Sequence, residues 1–278
     1  MQVKERGIGK QLNGKIGPLF NKELSSSSSS SPPSSSAASP PWMFRTRSFQ
    51  FLALVVVFIV FSVVVESGAT SGIDNAVNKY AKSIEGSNPG LDAVMIALTT
   101  TGDVATLLLF AIAITIVRRT RKAGMIFLIS IVALAIVVMY VKPVIGRTAP
   151  QYAFVPAIKL PQDFEVESDS LAPFAAAFSY PSGHVARATA LAFIVGYMLY
   201  CKSKVAGYAI WAFPVIIGVT HIYVQQHFPT DLVGGFLIGM TITVILCNSM
   251  KLWQPFQMSR FKGKEEKDKK GAKANSSV

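Results

Sequence analysis

Residues 51–65 form an apolar run whose one polar member is Ser62, and Arg45 and Arg47 stand just ahead of it. Extended by its flanks, such a run crosses a hydrocarbon core of about 30 Å as a helix. It lies deeper in the chain than the apolar core of a secretory signal would. Five more apolar stretches follow, at roughly 94–117, 123–141, 185–201, 205–224 and 232–248. The pattern predicts an all-α fold: an integral membrane bundle of six transmembrane helices over residues 49–250, with both termini on one side. The flanks have no apolar face to bury. Residues 1–48 centre on the serine run 25–31, followed by Pro32, Pro33, Pro40 and Pro41, and read as a disordered basic tail. A targeting peptide is the alternative, since Glu5 and Glu23 are the segment's acids, but an amphipathic Arg pattern is missing. Residues 251–278 form a second basic tail, and its run 262–273 either touches anionic headgroups or is a solvated segment.

Composition agrees with the pattern. Of 278 residues 51% are hydrophobic and 15% charged, and the mean hydropathy is +0.43; a soluble domain carries about a quarter of its residues as charges. The net charge of +12 becomes informative once it is located. Of the 27 Lys and Arg, 21 fall in the two tails and in the connections at 118–122 and 202–204. All of these lie on one side of a six-span topology. Lys79, Lys82, Lys142, Arg147 and Lys159 lie on the other, and Arg187 falls inside the fourth span. The positive-inside rule places both termini in the cytoplasm, so the basic excess is a topology signal and predicts no nucleic-acid partner. Cys201 and Cys247 are too few for a disulfide framework and are not spaced as metal ligands.

Chemistry-bearing residues gather in the connections on the external side. In Tyr180-Pro181-Ser182-Gly183-His184 the proline stops a preceding helix and Ser182 is placed to cap the fourth span. Gly183 lets the backbone approach a ligand, and the helix start offers N–H groups to an anion. His184 lies in the first turn, with Arg187 three residues on and nearly on the same face. An ordinary capped helix start is the competing reading. Arg187 either faces a ligand or snorkels to the interface. In His227-Phe228-Pro229-Thr230-Asp231, proline suits the opening of the sixth span, and Asp231 falls in its first turn. Asp231 is either a plain helix-start charge or the group that orients His227, freeing its other nitrogen as nucleophile or base. Lys142 and Arg147 close the third span with two cations. They serve either to stabilise charge on a transferring phosphoryl group or to anchor the interface. The long connection 142–181 carries Asp163, Glu165, Glu167 and Asp169, and is either a substrate lid or a solvated loop.

These three blocks, in this order and at these span ends, resemble the type 2 phosphatidic acid phosphatase superfamily, which includes lipid phosphate phosphatases and vanadium haloperoxidases. The pattern of that family is Lys, six residues, Arg-Pro; then Pro-Ser-Gly-His; then Ser-Arg, five residues, His, three residues, Asp. Pro181 to His184 match in full, as do His227 and Asp231, while Lys142 and Pro150 match the ends of the first block. Thr100, Gly102 and Asp103 resemble a small-residue segment of the family more weakly. Ala149 stands where the family has Arg, and Thr220 and His221 where it has Ser-Arg. The resemblance covers about residues 50–250 and implies a metal-free, cofactor-free phosphatase. In it His227 attacks phosphorus, Asp231 orients it, His184 protonates the leaving oxygen, and Lys142, Ser182 and Gly183 hold the phosphoryl oxygens. Arg147, Arg187 and His221 are the candidate replacements for the missing guanidinium groups. His221 also reads as a polar residue satisfied within the bundle. The expected substrate is a lipid phosphate or polyprenyl diphosphate reached from the bilayer. A lipid phosphotransferase and a non-catalytic lipid-phosphate binding or scaffold protein are the alternatives.

Overall fold

The computed structural model describes residues 40–160 and 173–253. The serine run, the basic run 262–273 and the acidic residues 163–169 lie outside them. Among the described residues the fold is entirely helical, with one isolated bridge between Thr148 and Phe178. In chain order the helices are α1 (Phe49–Glu66), α2 (Ser71–Ile84), α3 (Pro89–Thr100), α4 (Val104–Ile116) and α5 (Arg121–Ile145). They continue as α6 (Pro173–Ala176), α7 (Gly183–Tyr200), α8 (Lys204–Ala209), α9 (Ala212–Tyr223) and α10 (Pro229–Ser249).

Four segments are long and apolar enough to cross a membrane: α1, α5, α8 with α9, and α10. A fifth is the pair α3 and α4, bent by 54°. The expected straight helix over 94–117 is therefore broken. The break falls at Thr101, Gly102 and Asp103, with Asp103 immediately ahead of α4. The segment expected as the fourth span, α7, is an 18-residue helix with His184 and Arg187 in its first turns. It is a core element: every residue from Gly183 to Ile194 is buried, against α10, α9, α5 and α8. Its alternating Ala186, Ala188, Ala190 and Ala192 allow that approach, as small residues do between helices in lipid. Phe193 and Ile194 join Ile126, Phe127, Leu134 and Val244 in the core. By contrast α1 turns Leu52, Val56, Ile59, Val60 and Val63 outward.

Hydroxyls within these helices answer to carbonyls one turn back. Ser62 donates to Phe58 O at 2.8 Å, Ser130 to Ile126 O at 2.8 Å, Thr189 to Val185 O at 2.7 Å and Thr241 to Leu237 O at 2.8 Å. In lipid, where water is absent, this satisfies a polar group that would otherwise cost several kcal/mol. Ahead of α1, Trp42 meets Tyr200, Tyr208 and Trp211 edge-on at 5.3–5.5 Å, and Asn248 donates to Phe44 O. These contacts fix the start of α1 to the turn between α7 and α8.

Helix α2 was not foreseen as an element. It is amphipathic, and its buried stripe is Asp74, Asn78 and Ala81, the i, i+4, i+7 spacing of one helical face.

Candidate active site

The first block sits where α5 ends. Lys142 occupies the last turn, is 2% exposed, and donates from Nζ to Phe178 O at 2.7 Å. Gly146 then takes the left-handed conformation (φ +68°) and returns its N–H to Lys142 O, a helix stop that suits glycine. The reversed chain pairs with the residues before the second block. Ser179 donates to Arg147 O at 2.8 Å and Ala149 to Ala177 O at 3.2 Å.

The second block opens α7. Tyr180 is fully buried with its hydroxyl 2.9 Å from Ser62 Oγ, and burial pushes its phenol up to about 12 in spite of that hydrogen bond. Ser182 caps α7, accepting from Val185 N–H at 3.4 Å, as its position in the sequence suggested. Its own N–H donates to Asp231 O at 3.0 Å, joining the second block to the third. The approach is close because residue 235 is glycine: a Cβ there would lie 2.4 Å from Ser182 O. His184 is buried, its Nε2 3.6 Å from Asp103 Oδ1 at the α3–α4 break. Arg187 is 2% exposed, so it is enclosed by the bundle and does not snorkel.

The third block joins α9 to α10. His221 Nδ1 lies 2.8 Å from Ile217 O; a carbonyl only accepts, so this nitrogen carries the proton and Nε2 is the other tautomer's site. Its ring centre is 4.1 Å from that of His184 and 5.8 Å from that of His227, so the three histidines of the chain converge. Gln225 turns the chain through a left-handed conformation (φ +59°), and the His227 N–H returns to His221 O at 3.3 Å. Pro229 opens α10, and Asp231 in its first turn accepts from Phe228 N–H at 2.8 Å through Oδ2. The same oxygen is 3.5 Å from His227 Nδ1.

His227, Asp231, His184, His221 and Ser182 are linked to one another by these contacts, with Gly183 between Ser182 and His184 at the start of α7, while Lys142 is held on the Phe178 carbonyl and Arg187 lies one turn further into α7. Arg147 is held by side chains of α2 and α10. Its Nη1 donates to Asp231 Oδ1 at 3.0 Å and Thr230 Oγ1 at 2.5 Å, and its Nη2 to Asp74 Oδ2 at 2.6 Å. Its guanidinium also lies 4.3 Å above the Phe228 ring. The sequence reading missed Asp74 and Asn78 on α2. Asp74 accepts from the Thr230 N–H (3.2 Å) and hydroxyl (2.7 Å), and Asn78 donates to His227 O at 3.1 Å. Their signal was a polar pair four residues apart in an otherwise unassigned connection.

Residues 123–255 match the model of the PAP2 superfamily. The chain is 25% identical over 201 residues to phosphatidylglycerophosphatase B of Bacillus subtilis strain 168, covering 69% of this chain and 90% of that relative. It is 30% identical over 87 residues to undecaprenyl-diphosphatase BcrC of the same strain, covering 31% of this chain and 43% of that one. Its fold is similar to the crystal structure of a transmembrane PAP2-type phosphatidylglycerolphosphate phosphatase from Bacillus subtilis, with a TM-score of 0.59 and 23% identity. That match covers 76% of this chain and all of the other. With its apolar helices and this fold, the chain is a multi-pass membrane protein. The matched region runs from the start of α5 past the end of α10 and holds all three blocks, and over these residues the chain is similar to the PAP2 superfamily.

Proposed function

We propose that this chain is an integral-membrane phosphatase that hydrolyses a lipid phosphate or polyprenyl diphosphate through a phosphohistidine. The site lies at the extracytoplasmic face of a bundle of six membrane-crossing segments, α7 being the fourth of them, with both termini cytoplasmic. Its relatives are phosphatases by name, and the skew of Lys and Arg supports the orientation. The observation that carries the reading is His227 beside the Asp231 carboxylate, with His184 in the same buried cluster of rings.

In the first step His227 Nε2 attacks phosphorus, a P–N bond forms, and the P–O bond to the lipid side breaks. His184 gives its proton to the departing oxygen. Asp231, on Nδ1, holds the ring and answers the charge that develops on it. In the second step water gives a proton to His184 and attacks phosphorus. The P–N bond breaks, and inorganic phosphate leaves with His227 restored. Lys142, Ser182, the Gly183 N–H, Arg187 and His221 hold the non-bridging oxygens, where preorganised donors contribute most. Since Nδ1 of His221 is committed to Ile217 O, its Nε2 donates only when the ring is protonated, unlike the guanidinium it replaces.

The test is phosphate release by the detergent-purified full chain from phosphatidic acid and a polyprenyl diphosphate, in chelator, beside His227→Ala. We expect release in the wild type and a loss of about a thousand-fold or more in the variant. Lipid-phosphate binding without turnover in both would identify a binding protein, and headgroup transfer to an alcohol without net phosphate would identify a transferase.

A further inference from the structure

We propose that Asp74 and Arg147 are a positioning pair for the nucleophile's turn, Arg147 acting on Asp231 rather than on the phosphoryl group. This inference rests on His227 being the nucleophile. Asp74 comes from α2, outside the three blocks, and is completely buried. Its Oδ2 accepts from Arg147 Nη2 at 2.6 Å and from the Thr230 hydroxyl at 2.7 Å, while that hydroxyl accepts from Arg147 Nη1 at 2.5 Å. Three groups therefore close a ring, and Arg147 Nη1 extends it to Asp231 Oδ1 at 3.0 Å. Asp231 is thereby clamped at both oxygens, Oδ1 by Arg147 and Oδ2 by the Phe228 N–H, with His227 Nδ1 at 3.5 Å from Oδ2. One turn along α2, Asn78 holds the His227 carbonyl and accepts from Gln225 through its own carbonyl. The turn that carries the nucleophile is thus held from one helical face, at the Gln225 side chain, the His227 carbonyl and the Thr230 N–H.

The charges agree with this role. One guanidinium stands between two buried carboxylates, so the trio carries one net negative charge next to the imidazole that becomes cationic when it takes the phosphoryl group. Both Nη atoms already donate to Asp74, Thr230 and Asp231, and the plane of the guanidinium lies on Phe228. A phosphate ligand would have to draw Arg147 away from two carboxylates that would then be left buried and close together, a costly exchange.

The experiment compares kcat and KM for phosphate release from short-chain phosphatidic acid by the full chain, Asp74→Asn, Arg147→Met, the double variant and His227→Ala, with a thermal melt of each. A positioning pair predicts that Asp74→Asn and Arg147→Met each lower kcat by about 10–100-fold with KM held within about twofold. The double variant should be no worse than the more damaging single one, because both act through the same contact. A rise in KM at unchanged kcat in Arg147→Met, additive losses, or a wild-type kcat in Asp74→Asn would overturn the proposal. Should Asp74→Asn not fold, the kcat-against-KM split in Arg147→Met and Arg147→Lys decides alone. If His227→Ala is as active as the wild type, the nucleophile reading has failed and the pair with it; if it is inactive while Asp74→Asn runs at full rate, the pair alone has failed.

Discussion

Polar atoms enclosed by this bundle persist where a neighbour answers them, and each answer has a different chemical consequence. Lys142 donates a hydrogen bond to the Phe178 carbonyl. Arg147 meets two carboxylates, which hold its guanidinium between them. Tyr180 stays neutral beside Ser62, and its behaviour with pH follows. An unfolded chain ionises this phenol near 10, whereas the folded protein holds the proton until about 12. The phenol therefore stabilises the fold below pH 10 and ceases to do so as pH rises through about 12. Melting curves in detergent between these limits should fall more steeply for the wild type than for Tyr180→Phe. At pH 7 the variant should be less stable by about 1 kcal/mol for the lost hydrogen bond. Equal slopes would show that Tyr180 does not remain protonated in the fold.

Elements carry the catalytic geometry through close backbone contact. The starts of α7 and α10 touch at the hydrogen bond from Ser182 N–H to Asp231 O, and α10 meets the start of α7 at Gly235 and Gly239, with Gly234 against the Tyr180 ring. Gly235→Ala would set a methyl 2.4 Å from Ser182 O, a backbone atom that cannot step aside. We expect this variant to lose about 1–3 kcal/mol of stability and most of its phosphate release, since the second and third blocks would separate. Gly72→Ala in α2, where nothing lies within 4 Å, is the matched control; it should be neutral or more stable by up to about 1 kcal/mol. A melt of Gly235→Ala that overlays the wild type would show that the two helix starts are not in enforced contact. The break between α3 and α4, bent by 54°, carries Asp103 to 3.6 Å from His184 Nε2.

At the scale of the whole molecule, orientation is the open quantity that one thiol can report. Cys201 is exposed at the turn between α7 and α8, and Cys247 is buried. With both termini cytoplasmic, a membrane-impermeant maleimide should label Cys201 in inside-out vesicles and leave it untouched in right-side-out ones. The opposite pattern would invert the topology and place the histidine cluster on the cytoplasmic side.

Much of this architecture could be read from the chain because membrane burial depends on local composition. An apolar run with few charges must be a helix in lipid, so α1, α5 and α10 were legible as spans. The helix-start roles of Ser182, Pro229 and Asp231 were legible for the same reason, since caps depend on immediate neighbours. What the sequence could not convey is set by partners distant along the chain. From the sequence Arg147 reads as either a phosphate ligand or an interfacial anchor, and its partners Asp74, 73 positions earlier, and Asp231, 84 positions later, are not legible there. Asp74 and Asn78 lay in a segment too short and polar to be a span. They gained importance only when α2 folded against the His227 turn. The sequence alone determined which segments are apolar and which residue types stand at their ends, since both follow from composition and spacing. Tertiary structure decided which charge faces which, because electrostatic pairing depends on distance in space and the chain's spacing does not encode it.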